Sequence, residues 1–377
     1  MAGFYKLMRK REYLKFLPQE KKVDYLLVLM PLLLAVFGIV MIYEASNVAA
    51  FQAFSDKYHF VKDQIIWAVV GFILLGILSR IHYQKYYFLS VPVLLITIIS
   101  LIAVLAPGIG LKFQGARRWI GIGQFTFQPS ELAKISLILY LSAWLSNKEK
   151  GRLFSFVLLL GFVVGLVIIQ PDLGTGVILT TIFLVVYFIS SSPLSHFMIL
   201  IPGVVLAIIF LSIISPYRYQ RLMTYFDPNS DPLGSSYHIR QILISLGSGG
   251  FFGLGLGASR QKYQFLPEAT TDSIFAIIGE EIGFLGTCFL LVFYIYFLYR
   301  IYLLAKNSPD KFSLLLSAGI LSLFGFQILI NLGAMVAIFP LTGIPLPFIS
   351  YGGSNLIISL MSIGILINIS KFTVRKK

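Results

Sequence analysis

The chain is poor in the residues most soluble enzymes use for chemistry. Its 377 residues include one cysteine, Cys288, and four histidines, His59, His82, His196 and His238. A lone thiol inside an apolar run excludes an internal disulfide, a Cys-X-X-Cys redox pair and a cysteine zinc site. No two histidines stand three to five residues apart, so the spacing of a histidine metal cluster is absent. Charge is also scarce. Asp, Glu, Lys and Arg make up 12% of the chain, against about 25% in soluble domains. Apolar residues make up 57%, with 33 Phe and 20 Tyr. Two or three soluble cores of this size could not hide that much apolar surface. The composition excludes a cytosolic enzyme and makes lipid the solvent for most of the chain.

Apolar runs of membrane length, roughly 20 residues for about 30 Å of hydrocarbon, occur near 25–45, 62–80, 86–106, 131–146, 153–170, 174–191, 195–215, 274–300, 312–334 and 354–370. Ten spans put both termini on one side. Most of the 30 Lys and Arg residues fall in the termini and in the connections on that side, which assigns it to the cytoplasm. The net charge of +14 therefore reads as a topology signal and an anchor for anionic lipid, with no nucleic-acid partner implied. The basic segment 1–24 is too long, and its apolar run too extended, for a cleavable signal peptide. The expectation is an all-α polytopic membrane protein, one integral domain of about ten transmembrane helices. Its cytoplasmic ends are 1–24 and 371–377, and a large extracytoplasmic loop, 216–273, joins the seventh and eighth helices. Most of the 16 acidic residues fall on the outer side or at helix ends near it. A loop this long is usually functional. Within it, His238–Leu246 has helical spacing of Ile239, Ile242, Leu243 and Leu246, which suits a helix lying in the membrane interface.

Four constellations could carry chemistry. Gln128-Pro129-Ser130-Glu131-Leu132-Ala133-Lys134 opens the fourth span, with Ser130 expected as its N-cap and Glu131 in the first turn. Lys134 shares a helix face with Glu131. A lysine there costs about 2.5–3.5 kcal/mol on insertion scales unless paired or wet, so the pair is either a structural ion pair or part of a site. Upstream, Arg117 and Arg118 beside Trp119 are either a bidentate phosphate fork or a headgroup anchor. Asp172, in Gln170-Pro171-Asp172-Leu173-Gly174, reads as an N-cap. The glycine-rich stretch Ser248–Gly257 lacks the ending of a phosphate-binding P-loop and suits close backbone packing. It leads through Lys262 and Glu268 to Asp272, at the lip of the eighth span, with Glu280 and Glu281 further along the same helix. The Pro/Gly-broken run Gly343–Ser354 is expected to wall a cavity, because non-helical backbone at membrane depth needs protein or water cover.

Four stretches, Ala116-Arg117-Arg118-Trp119-Ile120, Phe127–Lys134, Leu266–Gly286 and Gly343–Gly353, together resemble the SEDS family of bacterial cell-wall polymerases, whose members include RodA, FtsW and SpoVE. The match covers nearly the whole chain. The resemblance implies a peptidoglycan glycosyltransferase that joins lipid II into glycan strands with a class B penicillin-binding transpeptidase, among elongation or division proteins of the bacterial inner membrane. It implies a catalytic role for Asp272 and essential roles for Glu131 and Lys134. Substrate-binding positions are expected at Arg117, Arg118, Gln128, Ser130, Glu131, Lys134, Lys262 and Glu268. The chain departs from the family in carrying Thr270 and Ser273 where members usually carry His and Phe.

The chemistry of the residues agrees with this. Sugar transfer needs a carboxylate to take a proton from the attacking hydroxyl and cations to offset the charge of a departing pyrophosphate. No cofactor is required, although a divalent cation, Mg or Mn, could shield that pyrophosphate. Two other readings are a lipid II flippase, which needs binding groups near the midplane, and a non-enzymatic scaffold. Crowding of charge at the outer ends favours chemistry there.

Overall fold

The computed structural model describes residues 23–113, 116–122, 125–147, 152–227, 236–263 and 265–373. The basic arm through residue 22, the connection 148–151 and the last four residues, all used in assigning sidedness, lie outside the described residues. A helix occupies each of the ten apolar runs: α1 Leu26–Phe54, α2 His59–Arg80, α3 Gln84–Ala103, α4 Pro129–Leu145, α5 Leu153–Ile169, α6 Leu173–Ile189, α7 Leu194–Ile214, then α10 Ile274–Lys306, α11 Lys311–Met335 and α12 Gly353–Ser370. Between α7 and α10 lie two short amphipathic helices, α8 Pro216–Phe226 and α9 Tyr237–Ser248. Among the described residues, α1, α2, α3, α7, α10, α11 and α12 are long and apolar enough to cross a membrane. The apolar helices α5 and α6 have 17 residues each, as does α4, which carries the two charges Glu131 and Lys134.

The helices sort by how much of themselves they bury. Packing of α4, α11 and α12 makes them the core, and α12 lies along α2. By contrast α7 buries only Leu200 and Ser212, so its apolar surface is left for lipid. At the end of the bundle opposite Asp272, Arg300 meets Asp24 at 2.5 Å. Nearby, Tyr83 donates to Asp310 at 2.7 Å and Asp310 caps α11 through a reciprocal box with Ser313.

Two features depart from the sequence expectation. The connection 107–130 holds a three-stranded antiparallel sheet, β1 Gly110–Phe113, β2 Ala116–Ile122 and β3 Phe125–Phe127, in the order β1-β2-β3. Its β-branched and aromatic residues favour a pleated surface. The strands are too short for their alternation to stand out against the apolar background. Second, α4 begins two residues earlier than expected. Pro129 takes the first helical position, which its fixed φ suits, and Gln128 is the N-cap, so Ser130 lies inside the first turn and does not cap the helix.

The Pro/Gly-broken run is the non-helical ribbon 336–352 between α11 and α12, and side chains satisfy its backbone. Carbonyls along it accept from Tyr225 at Ile338, Arg221 at Leu341, Asn331 at Ile344, Gln327 at Pro345, Tyr294 at Pro347 and Gln64 at Ser350. This is the protein cover such backbone requires. Replacing Tyr294, fully buried with its hydroxyl 2.7 Å from the Pro347 oxygen, by Phe leaves a buried carbonyl without its donor. Tyr294→Phe should destabilise the protein by about 1–3 kcal/mol, seen as a lower thermal midpoint in detergent. An unchanged midpoint would show that the ribbon does not depend on that bond.

Candidate active site

The ribbon brings two polar nodes together. The first is built on Asp272, in the turn before α10. Asn331 of α11 donates to both the Asp272 carbonyl and the Ile344 carbonyl, each at 2.8 Å, tying the aspartate's backbone to the ribbon. Ser350 donates to the Thr271 carbonyl and the Tyr351 N–H donates to that of Thr270. Gly343 faces the carboxylate, since a Cβ there would meet Oδ2 at 3.9 Å. The Thr271 hydroxyl lies 2.9 Å from Glu268 Oε2 and 3.3 Å from Asp272 Oδ1, so it links the two carboxylates. Burial, and then the charge of Glu268, push Asp272 up to about 6, with Arg221 and the Thr271 hydroxyl pulling the other way.

Histidine and serine close the turn behind it. His238, on α9, has Nε2 2.7 Å from the Ser273 hydroxyl. Burial, then Arg221, hold His238 down to about 4, while Glu268 and a hydrogen bond to the Pro267 backbone oppose the shift. The ring is therefore neutral at physiological pH. It clasps both ends of the segment 267–273, which gives Ser273 a structural partner. His238 and Arg221 were not expected from the sequence at this site. The available signal was Pro216, a helix opener that places Arg218 and Arg221 on one face of α8.

The second node is built on Asp172. As expected, it caps α6, accepting from the Thr175 N–H at 3.0 Å. Its other oxygen also accepts from the Thr175 hydroxyl at 2.7 Å, from Gln128 at 3.3 Å and from Ser130 at 3.4 Å. Gly174 packs on the Thr342 carbonyl, so the ribbon residues 342–344 lie between this node and Asp272. Arg118 donates to the carbonyls of Gln170 and Pro171, and Arg218 to that of Ile168 at 3.5 Å. Two guanidiniums thus converge on the carboxyl end of α5, where the helix dipole favours cations. Arg117 stands on β2 opposite Lys112.

The remaining expected residues lie elsewhere. Glu131 and Lys134 form a buried ion pair at 2.6 Å, and Glu131 Oε2 has no hydrogen-bond partner among the described residues. Lys262 is committed to Glu44 at 3.6 Å and to the Gly257 carbonyl. The charges that bear on Asp272 are Glu268 and Arg221. Among the described residues, no three His, Cys, Asp or Glu side chains gather to hold a metal ion.

A buried carboxylate at the end of a polytopic helical bundle, with the charge of Arg221 reaching it, is an arrangement suited to a membrane enzyme. The comparisons narrow that class. The profile of a family described as cell cycle protein, FtsW/RodA/SpoVE, matches residues 24–375. Stage V sporulation protein E of Bacillus subtilis is 39% identical over 356 residues, covering 93% of this chain and 97% of its own. The probable peptidoglycan glycosyltransferase FtsW of Trichlorobacter lovleyi is 39% identical over 355 residues, covering 92% and 93%. Among solved structures, a chain of a peptidoglycan synthase complex that coordinates polymerization and crosslinking aligns with a TM-score of 0.77 at 27% identity, over 94% of this chain and 99% of that one. The rod shape determining protein RodA of Thermus thermophilus aligns at 0.70 and 28%, over 94% and 98%. The chain belongs to the FtsW/RodA/SpoVE family and is a multi-pass membrane protein.

Two stability measurements test this geometry. Between pH 3.8, the ordinary value, and about 6, the folded protein holds a proton on Asp272 that the unfolded chain has released. Stability therefore falls as pH rises through that window and stays lower above it. Asp272→Asn should unfold at a higher temperature than the parent at pH 7.5, with the gap closing near pH 4; a constant gap would remove the carboxylate's charge as the cause. For the ion pair, Glu131→Gln alone or Lys134→Met alone should cost about 3–5 kcal/mol by stranding a buried charge, and the double variant should recover most of it. Additive losses in the double variant would show that the two side chains do not act as a pair.

Proposed function

We propose that this protein is a peptidoglycan glycosyltransferase that joins lipid II units into glycan strands by inverting transfer. Asp272 is the general base. It takes the proton from the GlcNAc 4-hydroxyl of one lipid II, and that oxygen attacks C1 of the MurNAc at the end of the growing chain. The C1–O bond to the lipid pyrophosphate breaks with inversion, and undecaprenyl pyrophosphate leaves with the electron pair. Pyrophosphate is a good leaving group and needs charge stabilisation more than a proton. Arg117, Arg118 and Arg221 would supply that charge, with Arg218 beside them. The observation that carries the reading is the buried Asp272, poised near 6. A base with that value is ionised at neutral pH yet still basic enough to accept the hydroxyl proton.

The other residues take supporting roles in this reading. Gln128, Ser130 and Asp172 hold the second node, where the sugar or peptide portion of the substrate would bind. Lys134 acts with Glu131, whose second oxygen can accept from a substrate donor. Glu268 orients the Asp272 turn through Thr271, and Lys262 stiffens the loop that returns to α10. Among the described residues no three His, Cys, Asp or Glu side chains gather, so a divalent cation, Mg or Mn, would arrive with the pyrophosphate of the substrate. Both termini would be cytoplasmic and the site extracytoplasmic, in the inner membrane, with a class B penicillin-binding transpeptidase as partner within an elongation or division assembly. The match to a chain from a peptidoglycan synthase complex supports that pairing.

The deciding assay is gel analysis of strands made from labelled lipid II by the purified protein, with and without a class B transpeptidase. Asp272→Asn should lower the rate by about 10²–10⁴-fold, and the parent rate should fall as pH drops through about 6, where Asp272 becomes protonated. Strands from the variant at the parent rate would acquit Asp272. No strands from either protein, with the partner present, would favour the flippase reading.

A further inference from the structure

Among the described residues, the glycine-rich loop 249–257, which follows α9, is a largely exposed apolar stretch outside the spanning helices. Its nine residues, Gly249-Gly250-Phe251-Phe252-Gly253-Leu254-Gly255-Leu256-Gly257, carry no polar side chain. Phe251 is 68% and Phe252 82% exposed, and Leu256 is exposed beside them. In water, that would be a bare aromatic patch on a loop.

The backbone of this loop is completed by a break in α10. Gly283 leaves helical geometry, with φ 70 and ψ −170. In an unbroken helix the N–H groups of Phe284 and Leu285 would donate four residues back, to Glu280 and Glu281. Here Phe284 donates to Gly250 at 2.9 Å and Leu285 to Phe251 at 3.1 Å. The carbonyls they abandon accept instead from Leu254 at 2.9 Å and Gly255 at 3.0 Å. The loop is spliced into the hydrogen-bond ladder of the helix, and none of these four helix groups is left open. Close approach demands glycine at both contact points: a Cβ on Gly253 would overlap the Glu281 carbonyl, and one on Gly283 would overlap the Gly253 nitrogen. Behind the tip, the Glu280 carboxylate accepts from the Ser259 hydroxyl and from the N–H groups of Arg260 and Gln261.

Complete internal pairing of this kind is what hydrocarbon requires of irregular backbone. The depth agrees. Phe284 stands about 16 residues from Arg300, ~24 Å along α10 at the helical rise, within a hydrocarbon layer of about 30 Å. Arg300, paired with Asp24, marks the polar limit at the other end. The Phe251 ring packs edge-on against Phe284, centroids 5.9 Å apart. The patch runs on without interruption into the exposed apolar face of α10 at Leu285, Phe289 and Val292, a face the membrane already covers. Arg260, exposed just behind the tip, sits where headgroup phosphates would lie.

We propose that residues 249–257 form a re-entrant lobe embedded in the acyl-chain layer of the leaflet nearest Asp272, with Phe251, Phe252 and Leu256 in direct contact with phospholipid tails. The lobe is hydrogen-bonded to α10 only a few turns from Asp272, so the bilayer itself sets the height of the carboxylate above the hydrocarbon. This inference rests on the membrane placement of α10 and is independent of the reaction proposed for Asp272.

The single cysteine makes the test direct. In a Cys288→Ser background, Phe252→Cys is labelled with a nitroxide, the protein is reconstituted in phosphatidylethanolamine and phosphatidylglycerol bilayers, and power saturation is measured with oxygen and with a water-soluble nickel chelate. The expected result is high oxygen access with nickel access several-fold lower than at Lys57→Cys, in the connection between α1 and α2, and equal to that at Phe289→Cys. Nickel access matching Lys57→Cys would overturn the proposal, as would low access to both agents, which would mean that protein and not lipid covers the tip. Leu256→Cys provides a second site should Phe252→Cys fail to fold, with the same outcomes.

Discussion

The structure depends on side chains that supply hydrogen bonds to backbone that is not helical. A chain in lipid has no water to complete its carbonyls, so each irregular segment must be completed by the protein. The ribbon 336–352 obtains its donors from α2, α8, α10 and α11 through Gln64, Arg221, Tyr225, Tyr294, Gln327 and Asn331. Those same donors place Asp272. Asn331 holds Ile344 and Asp272 with one amide, and Arg221 holds Leu341 while its charge reaches Asp272. Stability of the ribbon and placement of the carboxylate are consequently one property, which is why a site of this kind can be precise although it stands on irregular chain.

Much of this was legible in the sequence, because hydropathy in lipid is a strong signal. All ten apolar runs became helices, most with bounds within a few residues of those expected, although α1 runs on to Phe54 and α10 to Lys306. Asp172 caps α6 as its local sequence indicates, and the amphipathic stretch from His238 became α9. The Pro and Gly of Gly343–Ser354 pointed to non-helical backbone, and the run is non-helical through Gly352, with protein side chains covering it where a cavity wall was expected. These inferences needed only local chemistry.

What could not be read depended on partners distant in sequence. Glu280 showed no partner along its own helix, and Ser259, Arg260 and Gln261 from a loop some 20 residues earlier surround it with donors. Lys262 was expected to bind substrate, and its partner in the fold, Glu44 from α1, carried no signal in the sequence. Ser130 was expected to cap α4, but Pro129 starts the helix and turns the serine toward Asp172. His238 carried no spacing signal, and only the fold sets it against Ser273. The short strands β1–β3 were obscured because in this chain an apolar, β-branched run is the background, not an exception.

The two breaks in the helical architecture, Gly283 and the ribbon, lie on the two elements that meet at Asp272. An unbroken α10 would satisfy its own ladder and have nothing to offer the loop from α9. An unbroken junction of α11 and α12 would bury Ile344 and Leu341 in helix and leave Asn331 and Arg221 without those acceptors. In either case the turn 267–273 would lose its anchors: His238, which α9 carries, or Asn331, which the ribbon shares. Burial without those anchors would simply protonate Asp272 or expel it to water. With them, an aspartate that is unfavourable to bury is kept buried beside Glu268 and under an arginine. The departures from regular helix are thus what hold the Asp272 carboxylate, pushed up to about 6, in its buried turn.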